Sequence, residues 1–159
     1  MSPRSAFAAA ALVALRLAAG CAPADTPTPD GWTRQSMAED AYSLALPPGL
    51  SCVPLQGIDS DVARCDGDGL RLTLDWGMHG GVPTGHVETE TVGGREVRLR
   101  REGEGFVAGF VVPPIDLGDG SRTPSQALTV HVACSAEAAC ETARDVVRTV
   151  RIPETSRSP

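Results

Sequence analysis

The chain has 159 residues, of which 42% are hydrophobic and 21% charged, and this balance predicts one globular domain rather than a disordered tail. A formal charge of −6 repels phosphate backbones, and an aromatic content of 4% leaves little surface for base stacking, so nucleic acid is excluded as a partner. Every basic residue is arginine, which excludes lysine nucleophiles and Schiff-base chemistry.

The N-terminal segment has the layout of an export signal. Arg4 supplies a short positive region, and the run "AFAAAALVAL" behind it contains ten uncharged, mostly apolar residues. That length fits a secretory signal, whereas a membrane-spanning helix takes about 20 residues. Once Arg4 and Arg16 leave with the signal, 12 basic residues remain against 20 acidic ones, a formal charge of −8.

The run "LAAGC" at the end of this segment resembles the lipobox of bacterial lipoproteins. The resemblance implies a lipoprotein signal peptide over residues 1–20, cleavage before Cys21 and lipid on the Cys21 sulfur. Ala22 then implies attachment to the outer membrane, with the domain facing the periplasm. Two alternatives stay open: an ordinary signal peptide cut after Ala24, in "APA", and a cytosolic protein with an alanine-rich start.

Three further segments follow the signal. Residues 21–31 predict a flexible tether, because "APADTPTPDG" contains three prolines and no apolar periodicity. Residues 32–152 predict a single domain. Residues 153–159, "PETSRSP", predict a disordered tail.

Most of the domain has the apolar alternation of β-strands. The clearest case is "LRLTLDW", in which Leu70, Leu72, Leu74 and Trp76 share one face. "HVETETV" and "REVRLRR" flank Gly93-Gly94, which predicts a hairpin. The other predicted strands are "AYSLALP", "DVARC", "GFVAGFVVP" and "QALTVHVAC".

The chain ends with a predicted amphipathic helix that begins after Ser135 as N-cap. Its apolar stripe contains Ala139, Ala143, Val146, Val147 and Val150. The sequence therefore predicts an α+β fold, an antiparallel sheet of about six to seven strands with one C-terminal helix on a face. This order, with "AYSLALPPG" early and the helix last, resembles domains similar to PsbP of photosystem II.

Setting Cys21 aside leaves four of the five cysteines, which can pair completely. Of the three connectivities, we favour the near neighbours, Cys52 with Cys65 and Cys134 with Cys140. The alternative is four reduced thiols. A zinc site is disfavoured, because no C-x-x-C pair and no Cys/His ligand spacing occurs.

Other chemistry-bearing residues are scattered. Four aspartates between Asp59 and Asp68 lack the spacing of an EF-hand loop and predict solvated turns. The predicted strand "REVRLRR" contains an arginine cluster, Arg98, Arg100 and Arg101. This cluster could hold an anionic ligand, but cross-strand pairing with carboxylates is the commoner role of such arginines. No nucleophile elbow and no phosphate loop occurs, so we expect no cofactor and no metal.

The sequence favours a membrane-anchored envelope lipoprotein with a small noncatalytic domain. Its partners would be the membrane, through the N-terminal lipid, and an unknown envelope protein or small ligand. The alternative is a small periplasmic hydrolase with a site built from His79, His131 and Asp75. An enzyme predicts that these residues converge in one pocket, whereas a binding module predicts scattered histidines.

Overall fold

The computed structural model describes residues 27–78, 80–114, 119–122 and 124–153. The predicted signal peptide, Cys21, most of the tether, His79 and residues 154–159 of the tail lie outside these ranges. The strands in chain order are β1 Thr33–Met37, β2 Tyr42–Leu46, β3 Ser51–Leu55, β4 Ser60–Gly67, β5 Leu70–Gly77, β6 Glu88–Val92, β7 Arg95–Glu102, β8 Gly105–Val112 and β9 Gln126–Cys134. Helix α1 spans Glu137–Arg148.

The fold is α+β and mostly sheet, which confirms the predicted class. Seven strands form an antiparallel sheet in the order β3-β4-β5-β9-β8-β7-β6, and β1 pairs with β2 in a separate hairpin. The sequence predicted a single sheet that included "AYSLALP", whereas this strand, β2, pairs with β1 outside the main sheet. The strands β1 and β3 were not predicted. The Gly93-Gly94 hairpin is confirmed, with positive φ at both glycines.

One face of the sheet, the inner face, packs against α1 and the β1–β2 hairpin to form the core. Alternate residues of β5 are buried there, including Leu72 and Leu74. Tyr42 of the hairpin packs on Trp76, with ring centroids 5.7 Å apart. Burial of each such large side chain contributes about 1.5–3 kcal/mol. The helix covers this face with its predicted apolar stripe: Ala143, Val146, Val147 and, just past its end, Val150.

The helix begins one residue later than predicted. Its N-cap is Ala136, which has an extended backbone and makes no side-chain capping bond. Ser135 instead donates its backbone N–H to the carbonyl of Gly69 at 2.9 Å. That bond continues the β5–β9 pairing by one residue, so Ser135 belongs to the strand side of the junction.

The outer face of the sheet is partly covered by the segment 80–84. A Cβ on Gly109 would lie 2.6 Å from Pro83, and one on Gly80 would lie 2.8 Å from the Ala127 side chain. Both glycines therefore allow the segment to lie directly on β8 and β9. Thr129 lies next to Gly80 of this segment, and both Thr129 and Val107 of the outer face are buried.

Candidate functional site

The structure pairs all four cysteines that it describes, in the near-neighbour arrangement that the sequence favoured. Cys52 and Cys65 are directly opposite one another on β3 and β4, and their disulfide ties the edge strand to the sheet. Cys134 and Cys140 join the end of β9 to α1. Disulfides persist in oxidising compartments, so these bonds indicate an exported protein. A disulfide sulfur is neither a thiolate nucleophile nor a zinc ligand.

Within the described ranges, helix α1 is too short and too polar to cross a bilayer. The same part of the chain contains no group of three or more His, Cys, Asp or Glu residues that could hold a metal ion.

The three residues of the hydrolase alternative are only partly placed by the structure. Asp75 and His131 both lie on the outer face, but Asp75 is directly opposite Thr129, and His131 is opposite Thr73. Among the described residues, the carboxylate within ion-pair reach of His131 is Glu102, at 4.0 Å, and both side chains are exposed. His79 lies outside the described ranges, so the predicted convergence of all three stays a prediction.

A buried polar pair nevertheless lies on this face. Among the residues that the structure describes, neither Oδ1 of Asp75 nor the hydroxyl of Thr129 has a hydrogen-bond partner, and both atoms are shielded from solvent. An unpaired buried polar atom costs about 1–3 kcal/mol. The segment 80–84 lies close to Thr129, since a Cβ on Gly80 would be 3.2 Å from the Thr129 hydroxyl oxygen.

The acidic stretch does not form a common site. Asp61 and Asp66 both lie on β4, and five residues at about 3.3 Å each place them roughly 16 Å apart. The Asp66 carboxylate contacts Arg71 at 2.6 Å and Arg64 at 2.7 Å. These arginines, Arg71 foremost, hold the pKa of Asp66 below its usual value. Both carboxylate oxygens of Asp66 are thus paired with arginines, and a calcium ion at this position would need the same oxygens.

The arginine cluster of β7 is divided by the strand alternation. Arg98 pairs with Glu96 at 2.9 Å and Arg100 with Glu102 at 3.8 Å, each two residues along the same strand. The expectation of cross-strand partners was therefore wrong for Arg98 and Arg100, because each pairs with a carboxylate on the same face of its own strand. Arg101 points to the inner face.

Arg101 lines a groove of about 570 Å³ at the N-terminal end of α1. Arg144 lies over the Phe106 ring there, 5.5 Å from its centroid, and pairs with Glu88 of β6 at 3.2 Å. The Cys134–Cys140 disulfide and three carboxylates also contribute to the lining: Glu104, Glu137 and Glu141. The groove carries both signs of charge, which suits a polar partner surface better than a simple anion.

A smaller cleft of about 270 Å³ lies between the tip of the β1–β2 hairpin and the strands β3 and β4. The turn beside it, Ala38–Asp40, has three successive non-glycine residues with φ between 50° and 69°. Left-handed backbone costs about 1–2 kcal/mol per such residue, and strain of this kind clusters at ligand sites. The sequence "AED" contains no glycine to signal this turn.

Tyr42 forms the floor of this hairpin cleft, and its side chain is almost fully buried. Burial raises the pKa of its phenol far above the usual value, and the negative charges of Asp61 and Asp75 raise it further. Asp61 contributes the one charged side chain of the lining, surrounded mostly by apolar residues. The cleft is therefore a concave surface in which apolar side chains surround four polar ones, a composition typical of binding sites: Gln35, Ser36, Tyr42 and Asp61.

Comparisons with protein-family models, with curated proteins and with solved structures gave no match for this chain. The resemblance of its element order to PsbP-like domains therefore stays a prediction.

Proposed function

We propose that this protein is an envelope lipoprotein, held on the outer membrane by lipid on Cys21, whose domain binds a partner or small ligand without catalysis. The cysteine pairing carries the proposal. The sequence has five cysteines, and two disulfides take four of them. The fifth is Cys21, at the position where the lipobox resemblance needs a thiol.

The surface of the domain supports binding rather than chemistry. The groove at α1 and the hairpin cleft are both lined by side chains suited to recognition. The hydrolase alternative has less support, because His131 lies beside Glu102 and Asp75 lies opposite a covered threonine.

Intact mass of the protein purified from membranes tests the anchor. We expect a polypeptide that begins at Cys21, carries acyl chains and lacks the hydrogens lost in forming two disulfides. Cys21→Ser should move the protein out of the membrane fraction. More than one acyl chain is expected, and each buried CH₂ adds about 0.8 kcal/mol to attachment.

Ala24→Leu is the matched control, because it alters the alternative cleavage site and leaves the lipobox intact. Processing should be unchanged in this variant. An unacylated mature chain that begins at Asp25, or a Cys21→Ser protein that stays with the membrane, would refute the proposal. Ala22→Asp tests the address: it should move the protein to the inner-membrane fraction.

A further inference from the structure

The groove at α1 separates its charges between two ends. Its helical wall is a stripe of α1 on which Glu137, Glu141 and Arg144 follow one another at spacings of four and three residues, which places them on one face of the helix. Seven residues separate Glu137 from Arg144, a rise of about 10 Å along the helix axis. This wall is therefore negative at the start of α1 and positive two turns later.

The turn between β7 and β8 forms the facing wall and has the same polarity. Arg101 is directly opposite Phe106 in the strand pairing, and Arg144 lies over the ring of the same phenylalanine. Glu104 lies near the start of α1 instead, because its carbonyl oxygen is 3.2 Å from the sulfur of Cys140. The two arginines thus share one end of the groove, the arginine end, and the carboxylates line the other, the carboxylate end.

A neighbouring cavity shows the same division. This cavity, of about 460 Å³, shares Arg101, Phe106 and Arg144 with the groove, but none of the three carboxylates of the carboxylate end. His86 also lines it. Glu88 pairs with Arg144 there, whereas no carboxylate of the described residues lies within ion-pair reach of Arg101. The arginine end therefore offers an uncompensated positive charge to a ligand.

We propose that the groove binds a short peptide with free termini, whose carboxylate lies at Arg101 and Arg144 and whose amine lies at the carboxylate end. The inference deepens the proposed binding function and rests on it. Charge complementarity favours a ligand with both signs, because a simple anion is repelled at the carboxylate end and a simple cation at the arginine end. The start of α1 carries about half a positive charge from the helix dipole, which is less than the three negative charges beside it.

The length of the groove sets the length of the peptide. An extended chain advances about 3.3 Å per residue, so the two charged termini of a tripeptide lie about 10 Å apart. This separation matches the rise between Glu137 and Arg144. In a free amino acid the two charges lie within one residue's length, about 3 Å, which is too short to reach both ends. Phe106 and the Cys134–Cys140 disulfide offer apolar contact to the peptide side chains.

Tri-alanine and three related compounds test the assignment. Isothermal titration calorimetry of the acylated, disulfide-bonded protein in detergent micelles measures their affinities. N-acetyl-tri-alanine lacks the positive charge, tri-alanine amide lacks the negative charge, and free alanine lacks the length. We expect saturable binding of tri-alanine, binding weaker by about tenfold for the acetylated and the amidated peptide, and no measurable binding of free alanine.

Two substitutions test which end holds which charge. Arg101→Gln should weaken the binding of tri-alanine about tenfold and leave that of tri-alanine amide nearly unchanged, because the amide has no carboxylate to lose. Glu137→Gln should weaken the binding of tri-alanine several-fold and leave that of the acetylated peptide nearly unchanged. Arg98→Gln and Glu96→Gln are the matched controls, because both positions are exposed on the opposite face of β7. Neither control should change any of the affinities.

A lack of tri-alanine binding in a protein of confirmed acyl mass would overturn this inference and leave the lipid anchor standing. The inference also fails if neither Arg101→Gln nor Glu137→Gln weakens the binding, or if free alanine binds as tightly as tri-alanine. Hydrolysis of tri-alanine during the titration, detected by mass spectrometry, would refute the noncatalytic role and leave the assignment of the groove intact.

Discussion

The hydroxyl of Thr149 should contribute measurably to stability. This residue follows α1 and is almost fully buried. Its Oγ1 accepts the backbone N–H of Ala45 at 2.8 Å and donates to the carbonyl of Val146 at 2.7 Å. Thr149→Val keeps the side-chain shape and leaves the buried Ala45 N–H without its partner. An orphaned buried donor costs about 1–3 kcal/mol, and the free energy of unfolding should fall by about 2 kcal/mol.

Thr129 allows the same substitution at a site where the hydroxyl is unpaired. Thr129 is as fully buried as Thr149, but its Oγ1 has no hydrogen-bond partner in the part of the chain that the structure describes. Thr129→Val removes a polar atom whose burial is uncompensated, so the change should be neutral or stabilising by up to about 1 kcal/mol. The two variants differ in location and not in chemistry.

Urea denaturation of the disulfide-bonded protein, followed by far-ultraviolet circular dichroism, measures both variants. With a slope of about 2 kcal/mol per molar urea, Thr149→Val should lower the midpoint by about 1 M. Thr129→Val should leave it unchanged or raise it. Equal losses in the two variants, or a larger loss at Thr129, would refute the reasoning and indicate that the Thr129 hydroxyl has a partner such as a buried water.

Two further outcomes are expected. Replacing Cys52 and Cys65 by alanine should lower the free energy of unfolding by about 3 kcal/mol, and replacing Cys134 and Cys140 should lower it by about 2 kcal/mol. The first loss is larger because the first disulfide closes a loop of 13 residues and the second a loop of 6. Urea denaturation measures both losses, and the reverse order would contradict the chain-entropy argument. Tyr42 is the sole tyrosine, so phenolate absorbance reports it alone. Because its pKa is raised in the fold, the stability that it contributes is fully present below its unfolded value of about 10 and is lost as pH rises further. Phenolate should appear together with unfolding, and its appearance near pH 10 in the folded protein would contradict this expectation.

Strands with a clean alternation were predictable from sequence, and strands without one were not. β5 alternates apolar and polar residues along its whole length, and β7 and β9 follow the same rule. β1, "TRQSM", has no apolar alternation because its strand lies at the edge of the core. β3, "SCVPL", contains Pro54, which suits an edge strand and weakens the strand signal.

The sequence indicated that part of the outer face is covered, but not which residues cover it. β8 reads "GFVAGFVV", a nearly continuous apolar run of the kind that marks a strand buried on both faces. That run could have predicted a second covering layer. The identity of the cover, residues 80–84, depends on two close contacts that only the folded chain creates: Gly109 lies against Val82 and Pro83, and Gly80 lies against Ala127. The hairpin cleft could not be predicted from the sequence, because its left-handed turn is formed by non-glycine residues, Ala38–Asp40.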